Sequence, residues 1–167
     1  MTRAVVLADT HIRPGRSRRL PDEVYTALGD TDVILHAGDV VTADLLDELS
    51  GFAPVHAVLG NNDYALAGAL PETLEIELDG VRVAMIHDSG PTAGREGRMA
   101  RRFPSADLVI FGHSHAPVAA AGLGAQLLFN PGSPTERRAQ PRHTYGTLEL
   151  ADGRIVSHRI VAVEPRV

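Results

Sequence analysis

Seven side chains able to bind divalent metal ions follow short apolar runs of this sequence. The runs end in ADTH (8–11), AGD (37–39), GNND (60–63), MIHD (85–88) and FGHSH (111–115). The candidate ligands in them are Asp9, His11, Asp39, Asn61, His87, His113 and His115. One ion rarely needs so many protein ligands, whereas two ions that share a carboxylate do, with positions left for water and substrate. Such a pair can generate hydroxide and hold a phosphoryl group for in-line displacement.

The first half of the chain is predicted to alternate strands and helices. Three apolar runs have the length of buried strands, at 4–8, 33–38 and 54–60. Two helical segments follow the first two runs, at 21–29 and 42–51, and Thr42 is the predicted N-cap of the second. This order favours parallel strands, whose carboxyl ends meet at one edge of a sheet. We therefore expect the ligand-type residues to share that edge.

The second half is richer in strands. Alternating segments around Asp79-Gly80 and Asp152-Gly153 predict two hairpins, and 95–102 predicts a short arginine-rich helix. In FGHSH, alternate residues of an extended segment point to the same side, so that His113 and His115 could each serve one metal. These patterns predict one α/β domain over residues 1–167, with two sheets packed face to face and helices outside.

Composition excludes several classes of function. The chain has no cysteine, so disulfides, thiolate zinc sites and cysteine nucleophiles are excluded. All 16 basic residues are arginine and the net charge is −5, which does not favour binding to duplex nucleic acid or membranes. We find no signal segment or membrane span and expect a cytoplasmic protein.

The ordered motifs Asp9-x-His11, Gly38-Asp39, Gly60-Asn61, His87 and Gly112-His113-x-His115 resemble those of the calcineurin-like metallophosphoesterases. The resemblance extends from Asp9 to about Ser133, and NPGSPTERR (130–138) is similar to a loop of the small YfcE-like phosphodiesterase branch. Each motif alone is weak, but all five in order, each after a strand, are specific. The resemblance implies a four-layer α-β-β-α sandwich of two mixed sheets flanked by helices.

The resemblance also implies the ligand sets. Asp9, His11, Asp39 and His115 would hold one metal, and Asp39 would bridge to a second held by Asn61, His87 and His113. Asp39, Asn61 and His113 are the expected catalytic residues, and a metal-bridging hydroxide is the expected nucleophile. We expect two divalent ions, with manganese favoured over iron, zinc, cobalt or nickel.

Asn62 departs from the family pattern, because many members carry a histidine there that is thought to protonate the leaving group. An amide donates a hydrogen bond but delivers no proton at neutral pH, so we expect phosphodiesters to be cleaved better than alkyl monoesters. Asn62, Arg13 and Arg16 are the predicted substrate contacts. Asp88 is expected to cap a turn, and Asn130 and Ser133 to support the site.

Two other functions remain open at the level of sequence. The first is a non-catalytic protein-binding scaffold on the same fold, as in the retromer subunit, although all seven ligand positions here keep ligand-type residues. The second is a nuclease, which the acidic net charge disfavours. The expected partner is a small phosphodiester, and the apolar segment 117–125 could pack against a second copy of the chain.

Overall fold

The computed structural model describes residues 1–15 and 18–164, whose strands form two five-stranded sheets. In chain order the elements are β1 (Thr2–Leu7), α1 (Asp22–Leu28), β2 (Val33–His36), α2 (Ala43–Ser50), β3 (Val55–Ala57), β4 (Thr73–Leu78), β5 (Val81–Ile86), α3 (Arg95–Arg102), β6 (Leu108–Ile110), β7 (Val118–Ala121), β8 (Leu127–Asn130), β9 (His143–Ala151) and β10 (Arg154–Val163). A single 3₁₀ turn, Tyr64–Leu66, lies between β3 and β4. Within the described residues, no helix is long and apolar enough to cross a membrane.

Both sheets are mixed. The first has the order β10-β9-β1-β2-β3, in which β1, β2 and β3 are parallel, β9 is antiparallel to β1, and β10 is antiparallel to β9. The second has the order β4-β5-β6-β8-β7, in which β5, β6 and β8 are parallel. The carboxyl ends of three parallel strands in each sheet thus supply the loops of one edge, as the sequence predicts.

Three apolar clusters hold the layers together. The cluster between the sheets includes Val6, Leu35 and Phe129. Val5 and Leu7, the neighbours of Val6 on β1, belong instead to the cluster that packs against α1 and α2. This alternation follows from the two-residue period of a strand. A third cluster packs α3 against the outer face of the second sheet, which confirms the four-layer sandwich of helices, two sheets and helix.

Local predictions were confirmed at both hairpins and failed at two other places. Asp79 and Gly80 have φ values of 51° and 80°, as expected for a two-residue hairpin loop, and Asp152 and Gly153 have 50° and 73°. Thr42 precedes α2 but does not cap it, because its hydroxyl donates to the carbonyl of Ile12. Strand β7 was not predicted, since its sequence VAAA lacks the alternation typical of a strand.

Candidate metal centre

Loops at one edge of the sandwich carry all seven predicted ligands. The loops after β1, β2 and β3 of the first sheet carry Asp9, His11, Asp39 and Asn61. The segments after β5 and β6 of the second sheet carry His87, His113 and His115. Each sheet therefore supplies part of the site, and the site exists only where the two sheets pack together.

Five of these seven residues have a left-handed backbone. The φ values are 54° at Asp9, 46° at His11, 58° at Asp39, 71° at His113 and 60° at His115. This conformation costs a non-glycine residue about 1 kcal/mol or more, and it persists where the surrounding structure enforces it, often at functional sites. The HSH segment is therefore not extended, and the expectation that its two imidazoles point to the same side for that reason was wrong.

Three buried ligand atoms at this edge have no hydrogen-bond partner within the described residues. They are Asp9 Oδ2, His11 Nε2 and His115 Nε2. Unpaired buried polar atoms are costly, and native structures seldom keep them without a ligand or a functional reason. The ligand atoms of Asp9, His11 and His115 lie within 4.8 Å of one another, as do those of Asp9, Asp39 and His87. The residues present therefore fit a divalent cation.

The four imidazoles form two pairs. The ring centroids of His11 and His115 are 5.2 Å apart, and those of His87 and His113 are 5.3 Å apart. The pairs match the two ligand sets that the family resemblance implies. Asp39 Oδ2 lies between them, 3.3 Å from Nε2 of His11 and 3.5 Å from Nε2 of His87. A carboxylate in this position contacts both halves of the site, although Asp9 is the residue common to both distance-based groups.

Neighbouring carbonyl groups orient two of the imidazoles. His87 Nδ1 donates to the carbonyl of Ala37 at 2.7 Å, and His115 Nδ1 donates to the carbonyl of Glu136. Both contacts turn Nε2 towards the centre, which is how outer partners usually orient histidine ligands of metals. Asn61 Oδ1 completes the His87 half, at 2.9 Å from His87 Nε2 and 3.1 Å from His113 Nδ1.

The carboxylates and imidazoles differ strongly in protonation. Burial raises the pKa of Asp9 to about 7. Burial also acts to raise the pKa of Asp39, but hydrogen bonds from His87 and Asn62 outweigh it and hold that pKa well below its usual range. His87 shows the converse, because Asp39 and Asp9 outweigh the effect of burial and raise its pKa. A cation would stabilise the ionised form of Asp9, which burial otherwise makes costly.

Two glycines allow the ligand loops to approach closely. A Cβ at Gly60 would lie 2.2 Å from both N and Oδ1 of Asp39, and a Cβ at Gly112 would lie 2.9 Å from Cβ of Ala8. Both distances are too short for any side chain. The glycines of the GN and GHSH motifs are therefore required by the packing of the site itself.

A model of the calcineurin-like phosphoesterase superfamily domain matches residues 2–153, a span that contains every residue of this site. The chain belongs to the calcineurin-like phosphoesterase superfamily. Members of this metallophosphoesterase family bind divalent metals, in agreement with the donor set described above.

The chain is also similar in sequence to individual proteins of this family. A probable metallophosphoesterase of Methanothermobacter thermautotrophicus is 39% identical over 137 residues, which cover 80% of this chain and 77% of the relative. A second, from Methanocaldococcus jannaschii, is 35% identical over 136 residues, which cover 80% of this chain and 68% of the relative. Vps29 of Entamoeba histolytica, solved in complex with Zn²⁺, has a TM-score of 0.77 and 23% sequence identity. The match covers 96% of this chain and 98% of the Vps29 chain. At that identity, the likeness to Vps29 shows the fold alone.

Asp63, which was not predicted from the sequence, is a positioning residue of this phosphoesterase domain. Its buried carboxylate accepts backbone N–H groups of Asp39 at 2.9 Å, Val41 at 2.6 Å and Gly60 at 2.7 Å. It thereby ties the loop after β2 to the loop after β3. The position of Asp63 in GNND, directly after two amides, indicates a residue near the site. Sequence alone does not show whether such a carboxylate binds a metal or only backbone N–H groups.

His36 lies beneath the same loops. It is fully buried, and Nδ1 accepts the N–H of Gly38 at 3.2 Å. Nε2 therefore carries the proton and donates to the Thr10 hydroxyl at 3.0 Å. Burial lowers the pKa of His36 to about 3, so that the imidazole is neutral at physiological pH and joins the loops after β1 and β2.

The NPGS loop supports the site, as predicted. The Ser133 hydroxyl donates to the carbonyl of Asp9 at 2.8 Å, and Asn130 Nδ2 donates to the carbonyl of Gly112 at 3.2 Å. Asp88 forms the expected turn, because its Oδ1 accepts the N–H of Gly90 at 2.8 Å. The loop thus holds the backbone on both sides of the ligand-bearing segments.

The predicted substrate contacts Asn62 and Arg13 differ in their position relative to the metal ligands. Asn62 reaches the centre, where its backbone N–H and its amide N–H each donate to Asp39 at 2.8 Å. Arg13 is exposed, with no hydrogen bond or ion pair to another described residue, and Arg16 lies outside the described residues. The arginines found near the ligands are Arg18, which donates to the carbonyl of His11 at 3.4 Å, and Arg138, which donates to that of His113 at 3.2 Å.

Proposed function

We propose that this protein is a metal-dependent phosphodiesterase with a dinuclear centre. The observation that carries the proposal is the convergence of three buried ligand atoms, of Asp9, His11 and His115, beside a second imidazole pair, with no hydrogen-bond partner for any of the three among the described residues. Two divalent ions held there would supply an activated water and neutralise charge on the phosphoryl oxygens. Hydrolysis of a phosphate ester is the reaction that such a centre serves best.

The residues of the chain have distinct tasks in this reaction. Asp39 stays ionised between the two imidazole pairs, and Asn62 holds it in place through two hydrogen bonds. Arg138 is exposed at the rim beside His113 and uses one of its donors on that backbone. Its remaining donors are suited to a phosphoryl oxygen, which a guanidinium binds well.

The absence of a proton donor at Asn62 favours diesters with good leaving groups. An alkoxide leaving group needs a proton, whereas a p-nitrophenolate does not. We therefore expect bis-p-nitrophenyl phosphate to be cleaved much faster than alkyl monoesters. Equal or faster release of phosphate from several alkyl monoesters would contradict this preference.

The test is hydrolysis of bis-p-nitrophenyl phosphate by chelator-stripped protein, with Mn²⁺, Fe²⁺, Co²⁺, Ni²⁺ and Zn²⁺ added back one at a time. We expect Mn²⁺ to restore activity, and both Asp39→Asn and His113→Ala to abolish it. Arg101→Gln on the exposed face of α3 serves as the control variant and should keep wild-type activity. Tight metal binding without turnover, whatever the ion, would instead favour the protein-binding scaffold.

A further inference from the structure

A groove opens beside His87 and Asn61. Its volume is about 340 Å³, and we call it the Leu59 groove after one of the residues that line it. Volumes of about 300–1,000 Å³ are typical of small-molecule sites. We propose that the Leu59 groove binds one ester arm of the phosphodiester, an uncharged alcohol of nucleoside size with an apolar ring and hydroxyl groups. This inference rests on the proposed function.

The groove is continuous with the metal centre. Asn61 and His87 line its inner end and are themselves joined at 2.9 Å. His87 Nε2 lies 3.5 Å from Asp39 Oδ2. The groove therefore begins at residues of the metal centre, and in this proposal it takes the arm on one ester oxygen of a phosphoryl group held there.

The walls of the groove are of two kinds. Leu59, Thr73 and Ile86 are half-buried and form an apolar surface with one hydroxyl group. Glu72 and Asp88 are exposed at the rim. Apolar surface suits the face of a ring, and ionised carboxylates only accept hydrogen bonds, which suits the hydroxyl groups of a sugar.

The charge of the groove rim disfavours an anionic ester arm. The rim carries two carboxylates and one guanidinium, that of Arg102, so its formal charge is −1. Glu72 has no hydrogen-bond or ion-pair partner among the described residues, which leaves its carboxylate available to a ligand. Arg18 and Arg138, which donate to the carbonyl groups of His11 and His113, do not line the groove. The net negative rim thus disfavours an arm that carries a further anionic group, and an uncharged arm meets no such repulsion.

Three p-nitrophenyl esters test the groove with one leaving group. They are thymidine 5′-(p-nitrophenyl phosphate), methyl p-nitrophenyl phosphate, and the thymidine ester with an additional 3′-phosphate. With Mn²⁺-loaded protein, we expect kcat/KM for the thymidine ester to exceed that for the methyl ester about tenfold, and the 3′-phosphate to reduce it about fivefold. Equal values for the thymidine and methyl esters, or a gain from the 3′-phosphate, would overturn the proposal.

Two variants with matched controls locate the effect. Thr73→Trp fills the groove and should bring the thymidine-to-methyl ratio close to one, whereas Thr26→Trp on exposed α1 should leave the ratio unchanged. Glu72→Gln should lower the ratio about threefold, since a charged acceptor becomes neutral, and Glu77→Gln on exposed β4 should not. A ratio that responds equally to variants and controls would place the arm elsewhere.

Binding of thymidine to chelator-treated protein gives a readout that does not depend on hydrolysis. We expect millimolar thymidine to shift the NMR signals of Leu59, Thr73 and Ile86, and Thr73→Trp to abolish those shifts. Groove shifts without hydrolysis of any ester would retain the binding site and refute the phosphodiesterase. Hydrolysis without groove shifts or a thymidine preference would retain the enzyme and refute the groove.

Discussion

Asp9 has a carboxylate for which the protein itself supplies little compensation. The residue is fully buried, its Oδ2 has no partner among the described residues, and its backbone is left-handed. Burial raises the pKa of Asp9 to about 7, above the ordinary value of 3.8. The stability that the protonated group retains at low pH is therefore lost as the pH rises towards and through 7. The ionised carboxylate of Asp9 therefore lowers the stability of the metal-free protein, and the same carboxylate is available to bind a cation.

Replacement of Asp9 by Asn should make the metal-free protein more stable. At pH 8 in chelator, we expect the melting temperature of Asp9→Asn to exceed that of wild type by about 3 °C or more, because the cost of ionising a buried carboxylate disappears. Differential scanning calorimetry measures it. The same variant should gain no further stability from Mn²⁺, and a variant less stable than metal-free wild type would contradict this account.

Arg138 is the second residue whose contribution can be measured with a single substitution. Its backbone is left-handed, with φ of 50°, and its guanidinium acts to lower the pKa of Asp9. Arg138→Gln should raise KM for bis-p-nitrophenyl phosphate, and the inhibition constant of inorganic phosphate, about tenfold. Arg137→Gln is the control, since Arg137 donates to carbonyl groups of its own loop. Unchanged phosphate inhibition in Arg138→Gln would remove Arg138 from the site.

At the scale of elements, the strand ends are held in place by polar residues beneath the ligands. Asp63 joins the loops after β2 and β3, and His36 joins those after β1 and β2. Both are buried and neither faces the metal centre as a ligand. The two residues keep the strained loops in register with one another.

Loss of the Asp63 carboxylate should loosen both loops at once. We expect Asp63→Asn to lower the free energy of unfolding by about 2–4 kcal/mol, since three backbone donors lose a charged acceptor. Urea unfolding measures this, and calorimetric titration should show weaker binding of Mn²⁺. Asp47→Asn on the exposed face of α2 should change neither quantity. Wild-type metal affinity in Asp63→Asn would show that the clamp does not set the ligand geometry.

His36 should make the metal-free protein sensitive to acid. Burial lowers the pKa of His36 from 6.5 to about 3, so the unfolded chain binds a proton in this range and the folded chain does not. Stability from this group is complete above pH 6.5 and is lost as the pH falls towards 3. Between pH 7 and pH 5, the wild type should lose about 2 kcal/mol more unfolding free energy than His36→Gln. Equal losses in urea titrations at both pH values would refute the assignment.

At the scale of the whole molecule, the metal centre connects the two sheets. The His11–His115 pair and the His87–Asn61 contact each join a residue of the first sheet to one of the second. Buried ligands in one half of the site therefore depend on the packing of both sheets. Metal bound at this edge would resist separation of the sandwich.

Metal removal should accordingly lower global stability. At a free Mn²⁺ concentration 100 times its Kd, the stabilisation is about 2.7 kcal/mol, which corresponds to an increase in melting temperature of roughly 5–10 °C over chelated protein. Thermal unfolding with and without chelator measures this change. Asp39→Asn should abolish most of the increase, whereas a full increase in Asp39→Asn would place the ion outside the proposed centre.

Local chemistry in the sequence determined much of this protein. The apolar runs, the two Asp-Gly turns and the order of ligand-type residues after strands predicted the sheets, the hairpins and the edge that carries the site, because strand period and turn geometry depend on neighbouring residues. Tertiary structure alone decided that the HSH segment is left-handed, that Thr42 bonds Ile12 instead of capping α2, and that Asp63 and His36 hold the loops. Those outcomes depend on partners that are distant in sequence, and only the packing of the two sheets brings them together.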